Sequence, residues 1–299
     1  GHKAKEGTPT MGGLIILAGI VIPTLLWAKL TNFYILSLLL VTLGLGLLGF
    51  MDDYLKAIKR QPRGLVARKK LIGQILLGVV FSFCLLYLAP TGQYNGMTNI
   101  PFFKNYILNL GIVYVPFIVL VITGSSNAVN LSDGLDGLAI GLSGICFVAF
   151  AGFVYVSGRL DFSSYLNIEY FPGSGELAIY CGAALGSVLG FLWFNSNPAE
   201  VFMGDTGSLS LGGALGAIAI MIKQELLLVI VGGVFVIEVL SVIIQVLSYR
   251  YRGGKRVFKM APLHHHFELS GWTEAKVVVR FWILGALCAL LTLATLKVR

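Results

Sequence analysis

Long runs of apolar residues, separated by short polar segments, dominate the pattern along this chain. Nine runs approach the roughly 17–25 residues that a helix needs to cross a bilayer. They are continuous in Leu, Ile and Val without strict alternation, so they predict helices. The nine runs are Gly13–Leu30, Asn32–Met51, Leu71–Ala89, Gly111–Val129, Leu138–Ser157, Leu177–Phe194, Gly207–Ile222, Leu226–Tyr249 and Phe281–Leu296.

The pattern predicts an all-α fold, a polytopic bundle of nine transmembrane helices in one domain covering residues 1–299. The composition agrees, because 57% of the residues are hydrophobic and only 12% are charged, against about 25% charged in a soluble domain. The chain begins Gly1-His2-Lys3 without Met, so we expect that a preceding segment with another helix is missing. Four cysteines without paired spacing are interpreted as small core residues, namely Cys84, Cys146, Cys181 and Cys288.

The distribution of Lys and Arg predicts which loops face the cytoplasm. With the N-terminus inside, 16 of the 22 basic residues lie in cytoplasmic segments, mainly within residues 56–70 and 250–280. The opposite orientation would invert this bias and is rejected. The net charge of +8 is then mostly a consequence of topology, with a share for anionic substrates, and it requires no nucleic acid.

Five polar clusters fall on the predicted cytoplasmic side. The first, from Lys5 to Gly13, includes Thr10 and is punctuated by Gly and Pro, which predicts a turn before a helix. Exposed backbone N–H groups at a helix start suit phosphate. An ordinary interfacial turn, in which Lys5 reaches toward water, is the alternative.

The second cluster is the pair Asp52 and Asp53, at the inner end of a helix that runs from outside to inside. Acids are disfavoured at this pole of the helix dipole. Successive helical residues point about 100° apart, so one Asp can face a cleft while the other acts through a metal or a basic neighbour. A solvated pair balanced by Lys56 at i+4 is the alternative.

The third cluster, residues 127–137, carries acids and amides but no basic residue. Asn127 and Asn130, like Asp133 and Asp136, are spaced i,i+3, which places each pair on one face of a helix. The glycines allow a ligand to approach the backbone, and the acid spacing excludes a calcium EF-hand loop. A connecting loop seldom needs two unpaired acids, so the segment predicts function.

The fourth cluster, residues 195–207, contains Asn195, Phe202 and Asp205. Asp205 could cap the following helix, which is a structural role. It could also act as a carboxylate near Phe202, whose aromatic ring could stack on a base. This segment alone leaves both interpretations open.

The fifth cluster is the run His264, His265 and His266, which follows five basic residues between positions 250 and 259. A solvated basic loop and a zinc site are alternatives to a phosphate-binding role. Contiguous histidines can hardly all reach one ion, however, and no Cys accompanies them.

One predicted transmembrane segment carries a polar stripe at helical spacing, formed by Glu238, Ser241, Gln245 and Ser248. An acid inside a membrane costs about 2.5–3.5 kcal/mol on insertion scales and by default indicates a functional role. A hydrogen bond between helices is the structural alternative.

In this order the clusters closely resemble those of the phospho-N-acetylmuramoyl-pentapeptide transferases, the MraY branch of the polyprenyl-phosphate N-acetylhexosamine-1-phosphate transferases. His-His-His-Phe-Glu favours this branch over the other amino-sugar branches. The family has ten transmembrane helices with an external N-terminus, so the resemblance implies that the first helix is missing here. It also implies a bacterial cytoplasmic (inner) membrane enzyme that can form homodimers. The matching segments are Lys5–Gly13, Phe50–Tyr54, Asn127–Gly137, Phe202–Leu209 and Pro262–Glu268.

The resemblance implies that undecaprenyl phosphate, a membrane lipid, attacks the pyrophosphate of UDP-MurNAc-pentapeptide with Mg²⁺ required. The products would be UMP and lipid I, for peptidoglycan synthesis. The implied catalytic residues are Asp52, Asp53, Asp205 and His264, with Asp205 and Asp52 as metal ligands. Direct attack and an aspartyl intermediate both stay open, as does the assignment of Asp52 and Asp53 to metal or lipid phosphate. The expected substrate-binding residues are Lys5, Thr10, Asn130, Asp133, Asp136, Asn195, Phe202, Gln245 and His265.

Two rival functions stay open. A sibling transferase that uses UDP-GlcNAc would need a substrate competition to be distinguished. A transporter or flippase for an anionic or lipid-linked substrate would use Glu238 in gating. Transporter sites tend to lie at the membrane midplane among broken helices of repeated halves, whereas nine of the fourteen acids here are predicted in the cytoplasm and no repeated halves are apparent.

Overall fold

A computed structural model describes residues 8–61, 64–89, 94 and 96–297 of the chain. This part contains twelve α-helices and one two-stranded hairpin. The helices are α1 (Gly13–Trp27), α2 (Phe33–Ala57), α3 (Ala67–Leu88), α4 (Tyr114–Ser132), α5 (Leu138–Ser157), α6 (Leu160–Leu166), α7 (Leu177–Asn195), α8 (Gly204–Met221), α9 (Glu225–Val231), α10 (Gly233–Tyr251), α11 (Leu263–Glu268) and α12 (Glu274–Ala294). The strands are β1 (Met97–Ile100) and β2 (Phe103–Asn109).

Seven of the described helices are long and apolar enough to cross a membrane, namely α2, α3, α4, α5, α7, α10 and α12. The expected helical, multi-pass membrane protein is therefore confirmed, but the predicted count of nine spanning helices is not. The helix α1 has only 15 residues. The helix α8 begins Gly-Asp-Thr-Gly and is rich in Gly and Ser, so it lacks the continuous apolar character of a lipid-facing span.

The helix α8 lies at the centre of the bundle, where 16 of its 18 residues are buried. It packs chiefly against α2 and α4. Glycines allow these close contacts, because a Cβ at Gly212 would overlap the backbone oxygen of Ser125, and a Cβ at Gly213 would overlap Leu45. Small residues at helix contacts are typical of membrane proteins. The centre of the fold therefore combines close backbone approach at these glycines with buried Leu and Ile side chains of α8.

The predicted segment Leu226–Tyr249 is not a single helix. It is divided into α9 and α10, which meet at Gly232 and Gly233. Neither glycine has a side chain to restrict its backbone or to fill the helix junction, so a break is easily accommodated there. The continuous apolar run concealed this break, and the prediction of one uninterrupted helix is wrong at this point.

A β-hairpin, which the all-α prediction missed, covers one end of the bundle, called the hairpin end below. Its strands are antiparallel, with Met97 opposite Asn109 and Thr98 opposite Leu108. The hydroxyl of Thr98 donates to Glu225 Oε2 at 2.6 Å, and the hydroxyl of Tyr114 donates to Oε1 at 2.6 Å. The buried Glu225 carboxylate thus joins the hairpin to the start of α4 and α9.

Candidate functional site

Three carboxylates from two helices meet at the opposite end of the bundle, called the acidic end below. Asp52 and Asp53 lie near the end of α2, and Asp205 lies at the start of α8. One oxygen of each lies within 4.8 Å of the others. Gly49 permits this approach, because a Cβ there would overlap the backbone oxygen of Asp205. Close packing of α2 on α8 therefore builds the cluster.

Asp53 is the residue that caps α8. Its carboxylate accepts hydrogen bonds from the backbone N–H groups of Asp205 at 3.0 Å and Thr206 at 2.8 Å, and from the Thr206 hydroxyl at 2.6 Å. A carboxylate at a helix N-terminus satisfies free N–H groups and complements the helix dipole. The capping role that the sequence left open for Asp205 therefore belongs to Asp53.

Asp52 is buried and paired with a lysine on the next turn of its own helix. Lys56 Nζ lies 2.5 Å from its carboxylate, and the backbone N–H of Leu65 donates to it at 2.5 Å. The i,i+4 pair with Lys56 was the structural alternative for this cluster. The pair is present, and Lys56 also lies 3.4 Å from Asp205, so it belongs to the same charge network.

Asp205 is held by side chains from α3 and α4. Lys70 Nζ lies 2.7 Å from one oxygen, and Asn130 Nδ2 donates to the other at 2.8 Å. Burial alone would raise the pKa of Asp205, but a hydrogen bond to Asp52 and the charge of Lys70 lower it below its usual range. The Asp205 carboxylate therefore stays ionised at neutral pH.

Sequence reasoning missed Lys70. In the sequence, Lys70 is one of the positive charges that predict the orientation of the membrane protein. The sequence nevertheless contains a signal for this role, because Lys70 lies in the first turn of an apolar helix. A side chain at that position can reach toward the end of the bundle. Only the packing of α3 against α4 shows that it reaches Asp205.

A cavity of about 630 Å³ opens beside the three acids. Eight residues that the sequence predicted for the site line it, and Lys56 and Gly134 contribute to the same wall. The eight residues are Thr10, Asp53, Asn130, Asp133, Asp136, Asn195, Phe202 and Asp205. Lys5 lies outside the described residues. Asp52, His264, His265 and Gln245 lie outside the cavity lining.

The segment before α1 pairs with the loop before α8 and so forms one side of the cavity. The backbone N–H of Phe202 donates to Pro9 at 2.9 Å, and the N–H of Gly12 donates back to Phe202 at 2.9 Å. Gly13 continues the pairing to Met203 at 2.8 Å. These bonds hold Thr10 and the half-buried Phe202 ring on the same wall.

Asp136 and Asn195 mainly brace the loop that carries Phe202. Asp136 Oδ2 accepts from the Ala199 backbone N–H at 3.1 Å. The Asn195 side chain accepts from the Gly137 backbone N–H at 3.1 Å and donates to the Val201 oxygen at 2.7 Å. Both residues line the cavity, but their described hydrogen bonds are structural.

Asp133 differs from these residues, because no cation pairs with it among the residues that the structure describes. It follows the last turn of α4 and is half-buried. Burial raises its pKa to about 7, and the charges of Asp205, Asp53 and Asp136 act in the same direction. This carboxyl group therefore changes its ionisation close to neutral pH.

The three histidines of residues 262–268, called the His segment below, occupy three different environments. His264 is completely buried and lies against Gly134, where a Cβ would overlap its Nε2. His265 Nδ1 lies 2.7 Å from Glu268, and His266 Nδ1 accepts from the Lys259 backbone N–H at 3.1 Å. The three rings are therefore not arranged around a single ion.

Gln245, a predicted substrate-binding residue, does not line the polar cavity. Its Oε1 accepts from the backbone N–H groups of Val257 at 3.0 Å and Phe258 at 2.9 Å. Its Nε2 donates to the Phe258 oxygen at 2.9 Å. The side chain holds this loop, and its predicted role in substrate binding stays a prediction.

A second cavity, of about 290 Å³, lies between α4, α8, α9 and α10 and is almost entirely apolar. Along α4 it extends from Phe117 to Val129, about 18 Å at 1.5 Å per residue. Val129 directly precedes Asn130, which lines the cavity at the acidic end. The apolar cavity and the polar cavity are therefore neighbours along one helix.

Comparison with known proteins gives consistent matches over the whole chain. Residues 35–223 match the model of glycosyl transferase family 4, and residues 5–17 match phospho-N-acetylmuramoyl-pentapeptide-transferase signature 1. A protein of that name from Pelobacter propionicus is 58% identical over 299 residues, and one from Thermodesulfovibrio yellowstonii is 55% identical over 298. A third, from Citrifermentans bemidjiense, is 56% identical. Each alignment covers 100% of this chain and 82% of the relative.

Proposed function

Because the chain belongs to the phospho-N-acetylmuramoyl-pentapeptide-transferase family and is a phosphoglycosyl transferase, we propose its reaction in full. It transfers phospho-MurNAc-pentapeptide from UDP-MurNAc-pentapeptide to undecaprenyl phosphate and gives lipid I and UMP. The reaction takes place at the cytoplasmic face of the bacterial inner membrane. The observation that supports this proposal best is the meeting of three carboxylates and two lysines beside one large polar cavity.

The polar cavity suits the nucleotide donor. Lys56 lines the cavity and Lys70 pairs with Asp205 at 2.7 Å, so both supply positive charge near the pyrophosphate. Phe202 supplies an aromatic face for uracil at another wall, since aromatic side chains commonly stack on bases. Asp133 has no described cationic partner and can accept hydrogen bonds from the nucleoside when ionised. The paired backbone segments hold Thr10 on the same wall as Phe202.

The carboxylate cluster suits a Mg²⁺ ion, which prefers hard oxygen ligands and binds through one or two carboxylates plus phosphates. One oxygen of each of the three carboxylates lies within 4.8 Å of the others, so the cluster supplies ligands of this kind. Asp205 is the best-placed ligand, because it lines the polar cavity and lies within reach of both Asp52 and Asp53. Asp52 is close enough to share the ion. Bound Mg²⁺ would offset the charge of the phosphates.

The chemistry exchanges one pyrophosphate bond for another. An oxygen of the lipid phosphate forms a bond to the sugar-bearing phosphorus of the donor, and the bond from that phosphorus to the bridging oxygen breaks. UMP leaves with the electron pair of that bond. Since a phosphate monoester has a second pKa near 6, the lipid nucleophile is already largely ionised and needs little help from a general base.

Direct attack by the lipid phosphate fits the cluster better than an aspartyl intermediate. Asp53 lines the cavity, but both of its oxygens already accept hydrogen bonds from the start of α8. Asp52 lies behind the cavity wall and is paired with Lys56. A carboxylate nucleophile would have to give up these contacts. We therefore assign Asp52 to positioning charge and Asp53 to positioning α8. We assign His264 to stabilising the phosphates.

The apolar cavity suits the prenyl chain of the acceptor. It ends next to Asn130, so a lipid within it would present its phosphate toward Asp205, to which Asn130 donates at 2.8 Å. Burial of apolar surface provides the binding energy, at roughly 25 cal/mol per Å². An acceptor that stays in the membrane thus reaches the water-soluble donor at the acidic end.

The proposal is tested with purified protein, undecaprenyl phosphate and Mg²⁺, by measuring UMP release. UMP is expected from UDP-MurNAc-pentapeptide, and its release should require both the lipid phosphate and Mg²⁺. UDP-GlcNAc is offered in a parallel reaction. Faster turnover of UDP-GlcNAc would replace the proposed donor with that of the sibling transferases, and no UMP from either donor would favour a transporter.

A further inference from the structure

The polar stripe of α10 has partners that its spacing alone does not reveal. Gln245 binds the backbone of Val257 and Phe258, and the Ser248 hydroxyl donates to the Lys255 oxygen at 2.9 Å. One helical face of α10 therefore holds the chain segment that returns from its own end. These contacts are with backbone groups of a loop and not with a neighbouring helix.

The same stripe reaches the His segment through Glu238. The backbone N–H of His264 donates to Glu238 Oε1 at 3.2 Å. The contacts follow an antiparallel order, since residue 248 meets 255, residue 245 meets 257 and 258, and residue 238 meets 264. Residues 255–264 are thus fastened along the face of α10 at three points.

The Glu238 carboxylate also lies beside the ring of His264. Its Oε1 is 3.2 Å from Nδ1, although the angle is not that of a hydrogen bond. Both side chains are completely buried. Glu238 Oε2 and both ring nitrogens of His264 have no hydrogen-bond partner among the described residues. A buried acid and a buried imidazole without such partners are costly, so stability alone does not explain their retention.

Gly134 shows where the His264 ring points. A Cβ at position 134 would overlap His264 Nε2, and Gly134 lines the polar cavity. The φ angle of Gly134 is not positive, so the backbone conformation does not require glycine there. Because Gly134 has no side chain, the His264 ring can approach the cavity wall at this position.

We propose that Glu238 is a positioning residue for the transfer reaction, and that Gln245 and Ser248 assist it. The stripe fastens residues 255–264 to α10, and the Glu238 carboxylate orients the His264 imidazole with Nε2 toward Gly134 and the phosphates. Since α10 also lines the apolar cavity, the lipid-facing helix and the histidine are held as one unit. This inference rests on the proposed function, because it assigns His264 to the phosphates of that reaction.

The test combines deuterium uptake of residues 255–264 with the kinetics of UMP release, using the full chain in detergent. Glu238→Leu removes the acceptor and the charge, so uptake at His264 should rise and kcat should fall by about 10²-fold, as misplacement of a catalytic group can cause. Glu238→Gln keeps an acceptor oxygen for the His264 N–H but loses the charge. It should keep the uptake of wild type and still lower kcat, with KM for the donor little changed.

Gln245 offers a conservative rescue and Ser241 a matched control. Gln245→Leu should raise uptake at Val257 and Phe258. Gln245→Glu keeps the acceptor for both N–H groups but loses the donor to the Phe258 oxygen, so it should restore part of the protection. Ser241 lies on the same stripe, but its hydroxyl donates only to the Glu238 backbone oxygen at 2.6 Å. Ser241→Ala should therefore leave both uptake and kcat as in wild type.

The outcomes separate this inference from the proposed function. Wild-type kcat in Glu238→Gln, or unchanged uptake in Glu238→Leu, would overturn the positioning role. If Glu238→Leu does not fold, Glu238→Gln and the Gln245 pair decide the question. If the wild-type protein releases no UMP, the proposed function fails and the orientation of His264 for catalysis fails with it, while uptake still reports whether the stripe fastens the segment.

Discussion

Two buried glutamates lie toward opposite ends of the bundle, and their surroundings differ. Glu225, at the hairpin end, accepts one hydroxyl hydrogen bond on each carboxylate oxygen, from Thr98 and Tyr114. Glu238, toward the acidic end, has one oxygen without a described hydrogen-bond partner. The other oxygen receives only the His264 backbone N–H, at 3.2 Å. Both residues bear the cost of burying an acid, but only Glu225 is compensated locally.

This contrast separates structural from functional buried charge. A network in which every atom has a partner makes its region rigid, and the Glu225 cluster joins the hairpin to two helices in this way. An incompletely satisfied group is costly, and its retention calls for an explanation. At the acidic end this explanation is available, since His264 lies directly behind a wall of the polar cavity.

The largest expected effect comes from Asp205→Asn at the acidic end. Losing the carboxylate that Lys70 and Asn130 hold should lower the rate of UMP release by roughly 10³-fold, as the removal of a strong electrostatic group can do. The protein should still insert into membranes. Asp161→Asn is the control, because Asp161 is exposed and its described ion pair is with Arg159. Near-normal turnover in Asp205→Asn would remove Asp205 from the metal site.

A smaller loss is expected from Lys70→Met, which removes the cation 2.7 Å from Asp205. The rate should fall by about 10²-fold, because a fixed charge near the phosphates is lost. Lys70→Arg keeps the charge and should retain more activity than Lys70→Met. Lys69→Met is the matched control, since its side chain is exposed one position earlier. Equal rates in Lys70→Met and Lys69→Met would show that Lys70 does not act in the reaction.

The acidic end was more predictable from sequence than the details of the fold. Acids without local partners, such as Asp133, signal function because an unpaired charge has no structural reason to be retained. Eight predicted residues now line one cavity. The Gly232-Gly233 pair is a local signal for the α9–α10 break, but the continuous apolar run around it predicts one helix. Local patterns could not show that Gln245 binds a returning loop, because that contact depends on tertiary structure.

At the hairpin end we expect a change in stability rather than in chemistry. Glu225→Leu leaves the buried hydroxyls of Thr98 and Tyr114 without their acceptor, which should lower the free energy of unfolding by about 1–3 kcal/mol. The measurement is Tm in detergent. Glu225→Gln retains one acceptor oxygen and should lose less. If Glu225→Leu melts at the wild-type temperature, local satisfaction of this acid does not stabilise the hairpin end, and the contrast with Glu238 fails.

A pH dependence of stability is expected from Asp133. Burial raises its pKa to about 7 in the folded protein, while an unfolded Asp titrates near 3.9. The folded state therefore binds the proton more tightly, so the stabilisation from Asp133 is full below about pH 3.9 and is lost as the pH rises to about 7. The Tm of the wild type, relative to that of Asp133→Asn, should fall between about pH 4.5 and 7 and level off above it.

The control for this pH dependence is Asp161→Asn, whose Tm difference from wild type should stay constant between about pH 4.5 and 7. A hydrogen bond from Arg159 lowers the pKa of Asp161, so its contribution is present above about pH 3.9 and is lost as the pH falls. Asp161 is exposed, so its effect should be small. A Tm difference for Asp133→Asn that does not change between pH 4.5 and 7 would mean that this carboxyl group is already ionised. The negative charges of its neighbours Asp205, Asp53 and Asp136 would then require a bound cation in addition to the lysines.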